Sequence, residues 1–353
     1  MKHLILFSVF LLSFPALHAQ DEGTVTGMAW NGSTWLIVGY WSNASHLLEY
    51  NGKTFHRVKE FEKFRLSLTR QIIWNYDNNY WVVTGHRDDD AILIMYDGKK
   101  LEEIARVHSY CTGDLAWDGK NYLMVVCGSA MVGETGYVKL SENGSITESI
   151  QFYWGYGRIF HDGERIFTSN GTTLFVYTGE TFEKFSELPI GIKDMDTSGS
   201  YWIICGFDKL LAFNSTYYRP ITIGEGCDKI EWGNRYWLIA KDGQLVKYDG
   251  RKLIPIENIP KFETITAVKW NGDYWLIGGR DFDASPKLVK YDGLFFEDLT
   301  EKMLRTSLQK TVNQTIEKSQ ISLTEDRKTI CGPTSILLLP ILLFSARRYF
   351  SII

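Results

Sequence analysis

One phrase recurs along this chain. Ala29-Trp30-Asn31-Gly32-Ser33-Thr34-Trp35-Leu36-Ile37-Val38-Gly39 returns as Lys269-Trp270-Asn271-Gly272-Asp273-Tyr274-Trp275-Leu276-Ile277-Gly278-Gly279. It appears again at Trp74 with Tyr80-Trp81-Val82-Val83, at Trp117 with Tyr122-Leu123-Met124-Val125, and at Trp232 with Tyr236-Trp237-Leu238-Ile239. Weaker copies fall at His161 with Arg165-Ile166-Phe167 and at Thr197 with Tyr201-Trp202-Ile203-Ile204. The seven anchors are spaced by 44, 43, 44, 36, 35 and 38 residues. Several copies have a matching second half, such as Leu48-Glu49-Tyr50-Asn51-Gly52 and Val289-Lys290-Tyr291-Asp292-Gly293.

Each unit reads as four short strands. Asn-Gly and Asp-Gly between hydrophobic runs mark tight hairpin turns, because glycine tolerates positive φ. β-branched and aromatic residues fill the runs between them. In the last unit the pattern predicts strands over 264–270, 274–279, 287–291 and 295–299. Four antiparallel strands at a period of roughly 40 residues define a β-propeller blade. Seven units predict an all-β, seven-bladed propeller over residues 20–300. The repeat resembles the broad propeller superfamily of WD, kelch and sialidase-like repeats. It lacks the Trp-Asp and Gly-His landmarks of WD repeats, the Gly-Gly pair of kelch and the Ser-x-Asp-x-Gly-x-x-Trp boxes of sialidases.

The template accounts for ten of the twelve tryptophans. Trp30, Trp74, Trp117, Trp232 and Trp270 end first strands, and Trp35, Trp81, Trp202, Trp237 and Trp275 begin second strands. Large flat side chains suit the packing of tilted neighbouring sheets. Trp41 and Trp154 fall outside the template and are candidate contacts for a ligand.

Both ends read as addresses. Met1-Lys2-His3, an apolar run to Leu17 and Ala19-Gln20 have the layout of a secretory signal over 1–19. A polar stalk covers 301–330. Over 331–353, Cys331-Gly332-Pro333 precedes the apolar run Ser335–Phe344 and the pair Arg347-Arg348. This order resembles the CGP C-terminal sorting tail of surface proteins in Thermococcales archaea, except that Tyr349–Ile353 follow the arginines. The resemblance implies removal of the apolar tail and anchoring at Cys331. A plain C-terminal membrane anchor is the alternative, with the same outcome for location. Either way the tail is the expected membrane contact.

Export agrees with six Asn-x-Ser/Thr sequons, at Asn31, Asn43, Asn143, Asn170, Asn214 and Asn313. It also agrees with the four cysteines left when Cys331 is set aside. A turn at Asp118-Gly119 brings Cys111 opposite Cys127, and Cys205 with Cys227 would link the fifth unit to the sixth. No Cys-x-x-Cys spacing supports zinc, and neither metal nor cofactor is expected. A net charge of −4 argues against a nucleic-acid partner.

In a propeller the loops joining strands 2 to 3, such as 87–90 here, and those joining one blade to the next, such as 59–67, share a face. Gly85-His86-Arg87-Asp88-Asp89-Asp90-Ala91 in blade 2 matches Gly278-Gly279-Arg280-Asp281-Phe282-Asp283-Ala284 in blade 7. Ring closure places blades 7, 1 and 2 side by side. Arg87, Asp88, Asp90, Arg280, Asp281 and Asp283 could thus form a polar cleft for a ligand or cation, with Trp41 stacking on it. The structural alternative is that these Arg and Asp residues tie their own loops in place. Tyr153, Trp154 and Tyr156, before blade 4, form a second candidate platform.

No phosphate loop, His-Glu-x-x-His or Gly-x-Ser-x-Gly is present. The sequence therefore points to an exported, surface-anchored, non-catalytic module for an extracellular glycan, peptide or protein. A carbohydrate-active enzyme using loop carboxylates and a purely structural envelope protein are the rivals.

Overall fold

The computed structural model describes residues 23–127, 135–152, 158–162, 164–199, 201–214 and 221–307. These form seven four-stranded sheets, each built from four consecutive antiparallel strands. Blade 1 comprises Thr24–Trp30, Trp35–Trp41, Ala44–Tyr50 and Phe55–Arg57; blade 7 comprises Thr264–Trp270, Trp275–Arg280, Pro286–Tyr291 and Phe296–Asp298. Among the described residues no strand is exchanged between the two ends of the ring.

The run Trp-Leu-Ile-Val in second strands follows from their position. Alternate side chains of a strand face opposite sides, and both faces of a blade are covered by neighbours. Trp35 and Ile37 enter the cluster shared with blade 7, while Leu36 and Val38 enter the cluster shared with blade 2. Each of the seven interfaces has its own apolar cluster, so packing closes the ring. Burying one such leucine or isoleucine contributes about 1.5–3 kcal/mol before the chain-ordering entropy.

The tryptophans pack as the repeat predicts. Trp30 lies on Trp35 with ring centroids 5.3 Å apart, Trp232 on Trp237 at 4.3 Å, and Trp270 on Trp275 at 4.0 Å. The turns are held by their own acids and amides. Asn31 Oδ1 accepts the N–H groups of Ser33 and Thr34 at 2.9 and 2.7 Å, and Asp97, Asp249 and Asp292 repeat the motif.

Closure of blade 7 on blade 1 uses three further contacts. Gly23 N–H donates to Ala284 O at 2.8 Å, and the Thr266 hydroxyl donates to Val25 O. A helix beginning at Thr300 sets Met303, fully buried, into the blade 7–blade 1 cluster beside Tyr50 and Phe55. Every sheet and every closing contact lies within residues 23–306, which form one compact unit.

Two sequence expectations shift. The segment 59–67, read as a loop, contains a 3-10 helix at Lys59–Phe64, anchored by buried Phe61 and Phe64. The loop read at 87–90 is a two-residue turn between Tyr80–Arg87 and Asp90–Tyr96, with Asp88 at φ 54°. Cys205 and Cys227 lie at disulfide distance, with Cα atoms 5.3 Å apart, which aligns the second strand of blade 5 with the start of blade 6 for a crosslink. Cys111 stands directly opposite Cys127 in the register of blade 3.

Candidate functional site

The first strands of all seven blades surround a central channel of about 1700 Å³. They are the inner edges of their sheets, so their channel-side N–H groups have no ladder partner. An unpaired buried N–H costs roughly 1–3 kcal/mol. The sequence supplies acceptors from the neighbouring blade. Asp114 of blade 3 accepts the Ile159 N–H of blade 4 at 3.3 Å, and Asp194 of blade 5 accepts the Ile230 N–H of blade 6 at 3.1 Å. Gln71 serves Leu115, Asp196 serves Trp232, and Glu231 serves Trp270 in the same direction around the ring.

These carboxylates also meet cations. Asp114 pairs with Arg158 at 3.6 Å, Asp194 with Lys229 at 3.8 Å, Asp228 with Lys193 at 2.7 Å, and Glu231 with Lys269 at 2.8 Å. Burial, with Glu231 nearby, pushes the Asp196 carboxyl well above the usual carboxylate range. The Glu231 and Asp196 charges overcome desolvation at Lys269 and hold its ammonium above its ordinary value.

β-Bulges aim further side chains inward. The register of blade 2 skips between Thr69 and Ile72, which leaves Arg70 and Gln71 in the bulge; a skip in blade 5 does the same for Lys193. Arg70 faces the channel, and its guanidinium makes no hydrogen bond or ion pair to any described residue. Arg70 is exposed to the channel, but desolvation by the surrounding walls, with the Arg158 charge adding to it, holds its guanidinium below its ordinary value; Asp114 acts in the opposite sense. At the hairpin end the channel is bordered by Trp30, Trp74, Trp117 and Trp270.

The residues singled out from the sequence occupy other places. Trp41 is 2% exposed and stacks on His46 at 4.5 Å, so it packs the blade 7–blade 1 interface and offers no face to a ligand. Arg87 pairs with Glu103 at 3.3 Å and donates to Phe64 O. Asp90 lies 3.7 Å from Arg106 and 3.5 Å from His108. Arg280 pairs with Glu263 at 2.8 Å, and Asp281 with Lys287 at 3.1 Å. Asp283 accepts the Ser285 N–H at 3.0 Å, and hydrogen bonds from Ser285 hold its pKa low. Asp88 is exposed at its turn. These groups fasten the two loops locally, and among the described residues no His, Cys, Asp or Glu cluster could hold a metal ion.

Tyr153, Trp154, Tyr156, Asn313 and Cys331 lie outside the described residues. Asn43 is exposed, Asn31 and Asn143 stand in hairpin turns, and Asn170 and Asn214 end strands.

No protein-family model matches this sequence, and no curated protein matches it. Solved structures do. The β-propeller domain of the Trilobed protease from Pyrococcus furiosus, whose ring is described as an open velcro topology, superposes with a TM-score of 0.58 at 12% identity, over 79% of this chain and 96% of that one. The Pyrococcus horikoshii acylaminoacyl peptidase gives 0.55 at 11% identity over 79% of this chain, which spans only 52% of the peptidase. Saccharomyces cerevisiae Sqt1 gives 0.53 at 10% identity, over 79% and 85% of the two chains. At these identities the likeness establishes the fold alone. The chain is an all-β, seven-bladed propeller of four-stranded antiparallel blades.

Proposed function

We propose that this propeller is an exported, surface-anchored, non-catalytic binding module, and that the ligand enters the central channel. The ligand is an extracellular glycan, peptide or protein segment carrying a carboxylate, sulfate or phosphate. One observation carries this reading. Asp114, Asp194, Glu231 and Asp196 are committed to backbone N–H groups of the next blade, whereas the Arg70 guanidinium faces the channel without a hydrogen bond or ion pair to any described residue. A guanidinium is a ready fork for such an anion. The tryptophans at the far mouth supply flat apolar faces for a sugar ring or side chain.

The test is retention of the purified protein on immobilised acidic and neutral polysaccharides and peptides. Acidic ligands should retain it in a salt-sensitive manner, and Arg70→Gln should weaken retention about tenfold, as loss of a charge-assisted contact does. Equal retention of both ligand classes would count against the proposal.

A second reading has its own support. A partly buried Asp196 with a raised pKa, beside Glu231, has the character of a general acid in a carbohydrate-active enzyme. Product release that Asp196→Asn abolishes would favour it. Hydrogen bonding of Asp196 to Trp232 N–H gives the same residue a structural occupation.

A further inference from the structure

The face opposite the inter-blade loops is uneven. Turns between strands 1 and 2, and between strands 3 and 4, share it: Lys247 Nζ of blade 6 donates to Gly293 O in the outer turn of blade 7 at 2.8 Å, and the Tyr274 hydroxyl of blade 7 lies against Gly52 in the outer turn of blade 1. The outer turns of four successive blades read Asp249-Gly250-Arg251-Lys252, Asp292-Gly293-Leu294-Phe295, Asn51-Gly52-Lys53-Thr54 and Asp97-Gly98-Lys99-Lys100. Blades 3 and 4 carry Glu142 and Glu180 at the corresponding turns.

Leu294 and Phe295 are 82% and 73% exposed. No core position calls for them. Their backbone is nevertheless rigid, since Asp292 Oδ1 accepts both their N–H groups at 2.8 and 2.7 Å. Asp97 and Asp249, though exposed, hold backbone N–H groups in the same way, and Glu102 pairs with Lys100 at 2.6 Å. The longer Lys53, Lys99, Arg251 and Lys252 side chains are exposed at the tips.

We propose that the arc of blades 6, 7, 1 and 2 docks on an anionic lipid surface. Leu294 and Phe295 enter the headgroup layer, and the flanking cations meet lipid phosphates. An apolar wedge between basic groups is the pattern of an interfacial membrane contact. The course of the chain agrees. Lys302, in the helix that ends the compact unit, donates to Lys53 O in the outer turn of blade 1, so the chain leaves the propeller within this arc. The sequence beyond contains the apolar run Ser335–Phe344. This docking is independent of the channel reading, since none of the four wedge and tip residues Leu294, Phe295, Lys99 and Arg251 lines the channel.

The test uses residues 21–310, which retain every sheet and closing contact but lack the apolar run. Co-sedimentation is measured with vesicles of phosphatidylcholine alone and of phosphatidylcholine mixed with phosphatidylglycerol. Binding should occur to the mixed vesicles and fall at least about tenfold with Leu294→Ser/Phe295→Ser, and likewise with Lys99→Glu/Arg251→Glu. Ile146→Ser, exposed on blade 3, should bind as the parent does. Circular dichroism checks that each variant is folded. Absence of binding, equal binding to both vesicles, or binding retained by the Leu294/Phe295 variant would overturn the proposal; the first result would leave the patch to a protein partner.

Discussion

Asp194 of blade 5 places Oδ2 3.1 Å from the Ile230 nitrogen of blade 6 and 3.8 Å from Lys229 Nζ. One carboxylate thereby satisfies an inner-edge N–H and neutralises a channel cation. Asp194→Ala should destabilise the fold by about 1–3 kcal/mol, because the N–H and the ammonium both lose their partner. Asp194→Asn keeps an acceptor and should cost less. Urea denaturation of the two variants checks the order, and an Asn variant as unstable as Ala would contradict it.

The closing helix makes a separate prediction. Met303 is fully buried in the blade 7–blade 1 cluster, so Met303→Ala should cost about 2–5 kcal/mol by leaving a cavity. Hydrogen exchange should accelerate most in blades 1 and 7, where the ring closes. A uniform increase around the ring would show that the helix is not a local clasp.

His46 gives the pH dependence. Burial, with the Arg57 charge assisting, lowers its pKa from 6.5 to about 4, although its hydrogen bond to Trp41 O opposes the shift. The unfolded chain therefore takes up this proton first as pH falls. Stability is complete above about pH 6.5, declines between 6.5 and 4, and then levels off. Over that window the loss amounts to about 3 kcal/mol. Folding free energies of the parent and His46→Gln, compared from pH 4 to 7, should converge at the acid end. A constant difference would show that His46 does not carry this slope.

A Cys205–Cys227 crosslink closes a separation of 22 residues. Its loss should reduce stability by about 3 kcal/mol on the chain-entropy account. Denaturation of the Cys205→Ala/Cys227→Ala variant measures this. Intact mass before and after reduction of the parent tests the second pairing, Cys111 with Cys127, for which the strand register provides the alignment.

The repeat made the blades legible at the level of single strands. The four strands read at 264–270, 274–279, 287–291 and 295–299 form at Thr264–Trp270, Trp275–Arg280, Pro286–Tyr291 and Phe296–Asp298. The turn residues and the doubly buried second strands leave an unambiguous pattern in sequence. The channel was not legible in the same way. Asp194, Asp196, Lys229, Glu231 and Lys269 interrupt apolar first strands and resemble solvent-facing alternation. Only the seven-fold ring turns that side inward. Arg70 is hidden further by its bulge, which breaks the two-residue period. Trp41 misled for the opposite reason. It lies outside the repeat, yet the end of its strand folds over His46 and is buried. A signal for the channel did exist in the charged residues one or three positions before five of the seven anchors, such as Glu231 and Lys229 before Trp232 and Asp196 and Asp194 before Thr197.

The most direct measurement pairs retention and product release in one experiment. The purified protein and Arg70→Gln are incubated with acidic and neutral polysaccharides and peptides, and both bound protein and new reducing ends or fragments are recorded. The account predicts retention on acidic ligands without release, sensitive to salt and weakened about tenfold by Arg70→Gln. Release of products, or retention indifferent to Arg70, would contradict a non-catalytic channel that reads an anionic ligand.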